Sequence, residues 1–250
     1  MKIVSYNING IRAAIKKGLV EWINKNNFDV ICLQEIKANK DQFNEELFRD
    51  LGFHCFWHSA QKKGYSGVAI LCKKKPNKVV YGIGNQKIDS EGRVLKIEYK
   101  NLSIYSVYFP SGSSGEIRQN YKMWFLKKFR EFIQHEKTPI LVSGDYNICH
   151  KAIDIHDPIR NKNSSGFLPE ERQWLTDFLK LGFVDTFREK NNFPNNYSWW
   201  SYRALSRPRN KGWRIDYHMI SVANLDNIKK ASILSDVHHS DHCPIYLELR

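Results

Sequence analysis

The last turn before the C-terminal strand-like segment carries many ionisable side chains. Residues 236–242 read DVHHSDH, which places three histidines and two aspartates within seven residues. A polar loop that precedes a strand would explain this stretch without any function. The alternative is that Asp241 and His242 belong to an active site, and the rest of the sequence has to decide between the two interpretations.

Polar side chains with oxygen or nitrogen ligands recur around other strand-like segments. Most single acidic loop residues are only solvated. Repetition makes solvation a weaker explanation, because ligands of open α/β sheets gather at strand ends. The set consists of Asn7, Asn9, Glu35, Tyr108, Asp145, Asn147, Asp216, Asp241 and His242.

The ligand types in this set favour a hard divalent cation. Amide and carboxylate oxygens suit Mg²⁺ or Mn²⁺ better than zinc, which prefers cysteine and histidine. We therefore expect Mg²⁺-assisted attack on a phosphate, which needs a metal, a group that orients water and donors to the phosphoryl oxygens. Asp145 is a candidate base, and Asn147 and His242 are candidate donors. Tyr108 could donate a proton or, if ionised, accept one.

The charge balance points to a polyanionic partner. The 250 residues contain 39 lysines and arginines against 26 acidic residues, which gives a net charge of +13. Nucleic acid is the first candidate and an anionic membrane the second, while a basic surface that only aids solubility is the alternative. No apolar segment approaches the roughly 18 residues that a membrane span needs. We expect no membrane association.

The cysteines and the N-terminal segment indicate a reducing compartment. Five cysteines are scattered, are odd in number and form no CxxC pair, which is typical of free thiols. The segment MKIVSYNING lacks the pattern of a secretory signal peptide. The expectation from both features is a cytoplasmic protein.

Short strand-like segments alternate with amphipathic helical stretches, which predicts an α/β fold. The segments at 94–99 and 102–109 alternate in polarity, as antiparallel strands with one exposed face do. No linker or shift in composition marks a boundary, so we expect one domain over residues 1–250. Strands are predicted at 2–6, 29–33, 67–72, 94–99, 102–109, 139–143, 214–222 and 244–249, and helices at 16–26, 116–135 and 168–182.

A series of motifs between residues 3 and 247 resembles that of the exonuclease III family of abasic-site endonucleases. The motifs, in order, are SYNINGIRA, CLQEIKA, GYSGVAI, YFPSG, SGDYNICH, SGFLPEER, WWSYR, GWRIDYHMIS and SDHCPI. This family lies within the endonuclease/exonuclease/phosphatase superfamily. The resemblance implies a four-layer α/β sandwich like that of deoxyribonuclease I, in which two packed mixed β-sheets are flanked by helices.

The resemblance also implies an activity. It implies a monomeric enzyme that uses Mg²⁺, with Mn²⁺ as a substitute, and cleaves duplex DNA 5′ to abasic sites during base excision repair. It further implies 3′–5′ exonuclease and 3′-end-cleaning activity on duplex DNA. The expected partner is double-stranded DNA with abasic sites or 3′ ends.

The matching motif positions carry the family's roles onto this sequence. Asp145 would activate or orient the attacking water, and Asp216 would orient His242 towards the phosphate. Glu35 would be the main metal ligand. The implied catalytic residues are Tyr108, Asp145, Asn147, Asp216 and His242, and the implied metal-site residues are Asn7, Glu35, Asp145, Asn147, Asp241 and His242.

DNA contacts are implied in the same way. Arg12, Lys37 and Tyr65 match positions that contact the DNA backbone. Trp199, Trp213 and Ile215 match positions that line a pocket for a flipped-out abasic sugar, and such a pocket excludes an intact nucleotide by size. Ordinary core packing is the alternative for the two tryptophans.

Two departures from the family pattern matter. Tyr146 stands where relatives carry phenylalanine or leucine, so its buried hydroxyl needs a partner. Ser111 and Ser114 stand where some relatives carry asparagine and arginine, which leaves the balance of endonuclease to exonuclease action open. A phosphatase or lipid phosphodiesterase of the same superfamily, and a nucleic-acid-binding protein without activity, are the competing interpretations.

Overall fold

The chain alternates strands and helices in the computed structural model, which describes residues 1–136 and 139–250. The strands are Lys2–Asn7 (β1), Val30–Gln34 (β2), His54–His58 (β3), Val68–Cys72 (β4), Lys78–Tyr81 (β5), Val94–Glu98 (β6), Ser103–Tyr108 (β7), Ile140–Asp145 (β8), Phe183–Asp185 (β9), Asp216–Ser221 (β10), Ile228–Ile233 (β11) and Ile245–Leu249 (β12). The α-helices are Ile11–Lys16 (α1), Leu19–Lys25 (α2), Glu46–Arg49 (α3), Gln86–Asp89 (α4), Glu116–Ile133 (α5), Pro169–Leu179 (α6) and Thr186–Lys190 (α7).

The strands form two six-stranded mixed sheets. Sheet 1 has the order β11-β12-β1-β2-β4-β3, and sheet 2 has the order β5-β6-β7-β8-β10-β9. Each sheet has a parallel pair at its centre, β1 with β2 and β7 with β8, and antiparallel neighbours around it. A parallel pair needs a crossover connection. Helices α1 and α2 make the crossover in sheet 1, and α5 makes it in sheet 2.

Three apolar layers hold the sheets and helices together. Between the two sheets, Ile3 and Ile70 of sheet 1 belong to the same buried cluster as Ile104 of sheet 2. A second cluster joins sheet 2 to α5 and α6, and a third joins sheet 1 to α1, α2 and α3. The order of layers is therefore helices, sheet, sheet, helices, which confirms the predicted four-layer sandwich.

The helix predicted at 16–26 is wrong in its extent. The chain forms α1 and α2 instead, with Gly18 between them at a φ of 91°. Only glycine adopts this left-handed conformation at little cost, so it ends one helix and lets the next begin at a new angle.

The prediction of an exposed face for β6 and β7 is also wrong. Every residue of β7 is buried, because the strand lies between β6 and β8 inside sheet 2. Ser106 of β7 donates to the carbonyl of Leu33 in sheet 1 at 3.1 Å. At Ser106, the polar position of the alternating pattern reflects a hydrogen bond between the sheets and not contact with water.

None of the helices formed by residues 1–136 and 139–250 has both the length and the apolar character needed to span a membrane.

Candidate active site

Both parallel strand pairs deliver polar side chains to one edge of the sandwich. Asn7 is the last residue of β1, and Glu35 follows β2 directly. Tyr108 is the last residue of β7, and Asp145 is the last residue of β8. The register pairs Tyr108 with Asp145, so these two side chains belong to neighbouring strands at the same level.

Three further residues reach the same edge from the opposite direction. Asp216 is the first residue of β10 and pairs with Asp145 in the antiparallel register. Asp241 and His242 precede β12. Because β10 and β12 run antiparallel to β8 and β1, their amino-terminal ends meet the carboxyl ends of those strands. These three residues therefore reach the site from the beginnings of strands, while the other four come from strand ends.

A cavity of about 560 Å³ opens at this edge. It brings together the predicted metal, catalytic and lesion-pocket residues, apart from Asp216. The backbone-contact candidates Arg12, Lys37 and Tyr65 are not part of its lining. The lining consists of Asn7, Glu35, Tyr108, Ser111, Gly112, Ser113, Gly115, Asp145, Asn147, Ser164, Ser165, Gly166, Trp199, Trp213, Ile215, Asp241 and His242.

Asp145 is a desolvated carboxylate held by two amides. It is 1% exposed. Its Oδ2 accepts from Nδ2 of Asn7 at 2.9 Å, and its Oδ1 accepts from the backbone N–H of Asn147 at 2.8 Å. Burial and the negative charge of Asp216 raise the pKa of Asp145 to about 7, although His242 opposes this rise. A carboxylate with such a pKa can accept a proton near neutral pH.

His242 is held between two carboxylates. Its Nδ1 lies 2.9 Å from Oδ2 of Asp216, and its Nε2 lies 3.8 Å from Oδ2 of Asp145. Burial opposes the charge, but the neighbouring carboxylates, Asp216 first, raise the pKa of the imidazole above its usual value. The ring is therefore protonated at neutral pH, with Nδ1 donating to Asp216 and Nε2 available as a donor.

Glu35 occupies a different environment on the β2 side. The hydroxyl of Tyr108 donates to its Oε1, and the Lys37 ammonium lies 3.5 Å from its Oε2. Burial and the charge of Glu35 raise the pKa of Tyr108 well above its ordinary value. Tyr108 is therefore neutral at physiological pH, which makes it a donor and not a base.

Asp241 is hydrogen-bonded both to Asn9, which follows β1, and to Trp199, which lines the cavity. Its Oδ1 accepts from Nδ2 of Asn9 at 2.9 Å, and its Oδ2 accepts from Nε1 of Trp199 at 3.0 Å. Burial opposes ionisation, but His242 and these two donors outweigh it and lower the pKa of Asp241. Asp241 is thus an anion over the whole physiological range.

Several site residues have a left-handed backbone, which non-glycine residues rarely adopt. The φ angles are 47° for Asn9, 54° for Glu35, 49° for Lys37 and 52° for Asn147. Such conformations cost on the order of 1–3 kcal/mol each and persist only when surrounding contacts impose them. These four residues lie just after β1, β2 and β8, where the chain turns beside the cavity.

Trp199, Trp213 and Ile215 form an apolar wall of the cavity. The two tryptophans exchange backbone hydrogen bonds of 2.9 Å, and their rings meet edge to face at 5.8 Å. They pack against a small buried cluster that contains Phe167 and Ile215. Both rings are only half-buried and line the cavity, which argues against ordinary core packing.

The three candidate contacts to the DNA backbone lie outside the cavity lining. Arg12 is exposed, and Lys37 is held by Glu35 and by a 2.6 Å bond to Oδ1 of Asn9. The hydroxyl of Tyr65 accepts from Arg93 at 2.9 Å and from Arg118 at 2.8 Å.

Two residues of this region were missed from the sequence. Arg93 is buried and also donates to the carbonyl of Tyr108 at 2.9 Å. Ser198 accepts the backbone N–H groups of Ile215 and Asp216, both at 3.1 Å. The contacts that tie both residues to the site are to residues at least 15 positions away, so they gave no local signal.

Tyr146 has the partner that its buried hydroxyl requires. The hydroxyl donates to the carbonyl of Val142 at 3.3 Å, and the ring stacks on Phe109 with centroids 4.3 Å apart.

The remaining histidines of the last turn are loop residues: His238 is exposed, and His239 packs near Trp22 with ring centroids 5.9 Å apart.

Two groups of side chains differ in their suitability for a metal. Asp145, Asp216 and His242 bring ligand atoms within 4.8 Å of one another. A protonated imidazole between the two carboxylates offers no lone pair, so this trio suits proton transfer better than coordination. Asn7, Glu35 and Asp241 offer oxygen atoms around the same cavity, which fits a hard divalent cation.

Comparison with known proteins agrees with this geometry. The model of the endonuclease/exonuclease/phosphatase family matches residues 4–242. The chain is 41% identical to an exodeoxyribonuclease of Bacillus subtilis (strain 168), over 99% of this chain and 98% of the relative. It is 38% identical to the DNA repair nuclease APEX1 of Danio rerio, over 100% of this chain and 82% of the relative.

Solved structures show the same fold at lower identity. An AP endonuclease from Archaeoglobus fulgidus matches with a TM-score of 0.90 at 26% identity, over 100% of this chain and 99% of the other. The 3′ phosphatase NExo from Neisseria, bound to a product DNA hairpin, matches with a TM-score of 0.92 at 26% identity and the same coverage.

Proposed function

Because the chain belongs to the endonuclease/exonuclease/phosphatase family, we propose that it is a DNA-repair phosphodiesterase. It cleaves duplex DNA 5′ to abasic sites, and it also acts as a 3′–5′ exonuclease and cleans 3′ ends. The main observation behind this proposal is that one cavity contains oxygen ligands suited to a metal ion, a proton acceptor and an apolar wall. The AP endonuclease and exodeoxyribonuclease relatives support it.

The cofactor is Mg²⁺, for which Mn²⁺ can substitute. Glu35 is its main ligand, and Asn7 and Asp241 supply further oxygens. When bound, the ion polarises the scissile phosphate and stabilises negative charge that develops on it. The absence of a thiolate among the lining residues and the protonated state of His242 both favour this hard cation over zinc.

The side chains of sheet 2 handle the water and the phosphate. Asp145 orients the attacking water and accepts its proton, which its raised pKa permits near neutral pH. His242 donates from Nε2 to a phosphoryl oxygen, and Asp216 fixes the ring through Nδ1. Asn147 and neutral Tyr108 complete the set, Asn147 beside Asp145 and Tyr108 beside Glu35.

The apolar wall selects the lesion. A missing base lowers the cost of rotating a nucleotide out of the duplex, and a bare deoxyribose fits where a base would collide. This wall consists of Trp199, Trp213 and Ile215, which line the same cavity as the catalytic residues. Arg12, Lys37 and Tyr65 hold the DNA backbone beyond the cavity, where the excess positive charge of the chain favours duplex DNA.

Residues 1–250 act as one catalytic domain, a cytoplasmic monomer in this proposal. The five cysteines are free, which suits a reducing compartment. Site, metal identity, oligomeric state and compartment are parts of the same proposal, and each can be tested separately.

A panel of substrates tests the proposed function. The panel contains a duplex with one abasic analogue, a duplex with a 3′ phosphate, an inositol phosphate and sphingomyelin, each with Mg²⁺ and with chelator. We expect Mg²⁺-dependent incision of the abasic duplex and no release of phosphate or phosphocholine from the last two. Turnover of the inositol phosphate or the lipid without DNA cleavage would overturn the proposal in favour of the competing phosphatase or lipid phosphodiesterase.

A further inference from the structure

A wholly buried ion pair lies beside the catalytic residues. Lys122 of α5 and Glu171 of α6 are both 0% exposed, and Nζ of Lys122 lies 2.6 Å from Oε1 of Glu171. Removing two charges from water is costly, and well-packed apolar residues often join two helices as well as a buried ion pair does. The retention of the charges calls for a reason beyond helix packing.

The lysine end of the pair holds Asn147. Nζ of Lys122 donates to the backbone carbonyl of Asn147 at 2.8 Å. The backbone N–H of Asn147 donates to Oδ1 of Asp145 at 2.8 Å. Both polar backbone groups of a residue with a left-handed φ of 52° are therefore fixed, one by the candidate base and the other by the buried lysine.

The glutamate end holds the loop behind the apolar wall. Oε2 of Glu171 accepts from the backbone N–H groups of Gly166 at 2.6 Å and Leu168 at 3.0 Å. Gly166 has a φ of 98°, and a Cβ atom at that position would lie 2.7 Å from the Trp213 ring. The loop therefore lies directly against Trp213, and its backbone position limits where that ring can be.

We propose that Lys122 and Glu171 are positioning residues that fix Asn147 and Trp213 relative to each other. The pair connects the residue beside the attacking water to the wall that receives the flipped-out sugar. Loss of the pair lets the two parts of the cavity shift independently, and small misplacements of reacting groups are costly in rate. This inference rests on the proposed function.

The test separates positioning from folding through a double substitution. Lys122→Met leaves a buried carboxylate unpaired and should lower the thermal midpoint. Lys122→Met combined with Glu171→Leu removes the unpaired charge and should regain part of the stability. The rest stays lost, because the Asn147 carbonyl and the N–H groups of Gly166 and Leu168 no longer have these partners. The double variant still lacks the bonds to the Asn147 carbonyl and the Gly166 N–H. We expect its kcat on abasic duplex to stay about tenfold or more below wild type, while KM changes less.

Two further measurements make the test specific. Binding is measured in chelator, where no cleavage occurs. The ratio of the affinity for abasic duplex to the affinity for intact duplex should be lower in the double variant, because Trp213 is no longer held. The control is Lys96→Met: Lys96 is 8% exposed and pairs with Glu98 at 2.8 Å and with Glu136 at 3.0 Å, away from the cavity lining. This control should lower the thermal midpoint and leave kcat and preference unchanged when measured well below that midpoint.

The outcomes distinguish the two proposals. A double variant with the kcat and abasic preference of wild type would show that the pair only joins α5 to α6. A fall in kcat equal to that of Lys96→Met would have the same meaning. If wild-type protein fails to cleave abasic duplex with Mg²⁺, the proposed function itself is wrong and the positioning role falls with it.

Discussion

The two parallel strand pairs end at the same edge of the sandwich but hold their acidic residues in different environments. Glu35, after β2, has a side chain that is 17% exposed and lies beside the Lys37 ammonium. Asp145, at the end of β8, is 1% exposed and faces a second carboxylate, that of Asp216. A desolvated carboxylate beside another anion binds protons more readily, which is the situation of Asp145 and raises its pKa.

This difference assigns the two roles that phosphate chemistry needs. The β2 side supplies oxygens for a metal ion, and the β8 side supplies a proton acceptor. Residue type cannot distinguish the two sides, since each offers an acid at a strand end. Burial and the neighbouring charges do distinguish them, and the following substitutions test whether the distinction is real.

The largest effect should come from Asp145→Asn. The substitution keeps the shape of the side chain but removes the proton acceptor, so kcat should fall by about 10²–10⁴-fold. Binding to abasic duplex should persist or tighten, because one negative charge near the phosphate is lost. Single-turnover rates and binding isotherms on the same oligonucleotide measure the two quantities, and normal cleavage by this variant would refute the catalytic assignment.

His242→Asn should have the next largest effect. Loss of the charged donor to the phosphoryl oxygen should reduce kcat by about 10²–10³-fold. Asp216→Ala should reduce kcat less, because Asp216 acts only through the ring that it holds at 2.9 Å. The comparison uses kcat for both variants at saturating DNA. An effect of Asp216→Ala as large as that of Asp145→Asn would contradict its orienting role.

Trp213→Ala should change specificity more than general binding. Enlarging the pocket should weaken discrimination between abasic and intact strands, by no more than the roughly 1–3 kcal/mol that shape selection by an apolar pocket provides. If the ring were ordinary core, the loss would instead be about 3–5 kcal/mol of stability with all activities reduced together. The ratio of abasic to intact-strand cleavage, measured with the thermal midpoint, separates these outcomes.

The smallest effect on rate should come from His218, a buried ionisable group of β10 outside the cavity lining. Its Nδ1 bonds to Oγ of Ser143 at 2.7 Å, and burial lowers its pKa to about 4. As the pH falls from about 6.5 to 4, the unfolded chain binds a proton that the folded chain excludes, so this histidine reduces stability across that window.

His218→Gln provides the matching variant. It should flatten the dependence of the thermal midpoint on pH between 6.5 and 4 and leave kcat at neutral pH near the wild-type value. A large loss of kcat in a folded His218→Gln protein would mean that buried groups of sheet 2 contribute to the chemistry well outside the cavity.

Local sequence patterns predicted the central strands and most of the candidate site residues. They did not predict the residues that hold those side chains in place. The buried runs around Val30–Gln34 and Ile140–Asp145 are apolar and end in polar residues, so both strands and the candidate site residues at their ends were predicted from neighbours in sequence. Short peripheral strands such as Lys78–Tyr81 were missed, because four residues give too short a pattern and the strand forms only by pairing with β6.

Buried ion pairs and shifted pKa values could not be predicted from the sequence either, because both depend on contacts between residues far apart in the chain. Lys122 and Glu171 each look like surface positions of an amphipathic helix, and only the packing of α5 against α6 brings them together in the interior. Likewise, the raised pKa of Asp145 depends on its burial and then on Asp216, which is 71 positions further along the chain. Sequence spacing contains no information about such contacts.

Titration of cleavage rate with Mg²⁺ for wild type, Glu35→Ala and Asp145→Asn tests the division between the two sides most directly. Glu35→Ala should require far more Mg²⁺ and regain part of its rate at high concentration, because Asn7 and Asp241 still offer oxygens. Asp145→Asn should remain slow at every concentration. If excess Mg²⁺ restored the rate of Asp145→Asn but not that of Glu35→Ala, the assignment of Glu35 as metal ligand and Asp145 as proton acceptor would be contradicted. Full activity of the wild type in chelator would show that the reaction needs no metal ion.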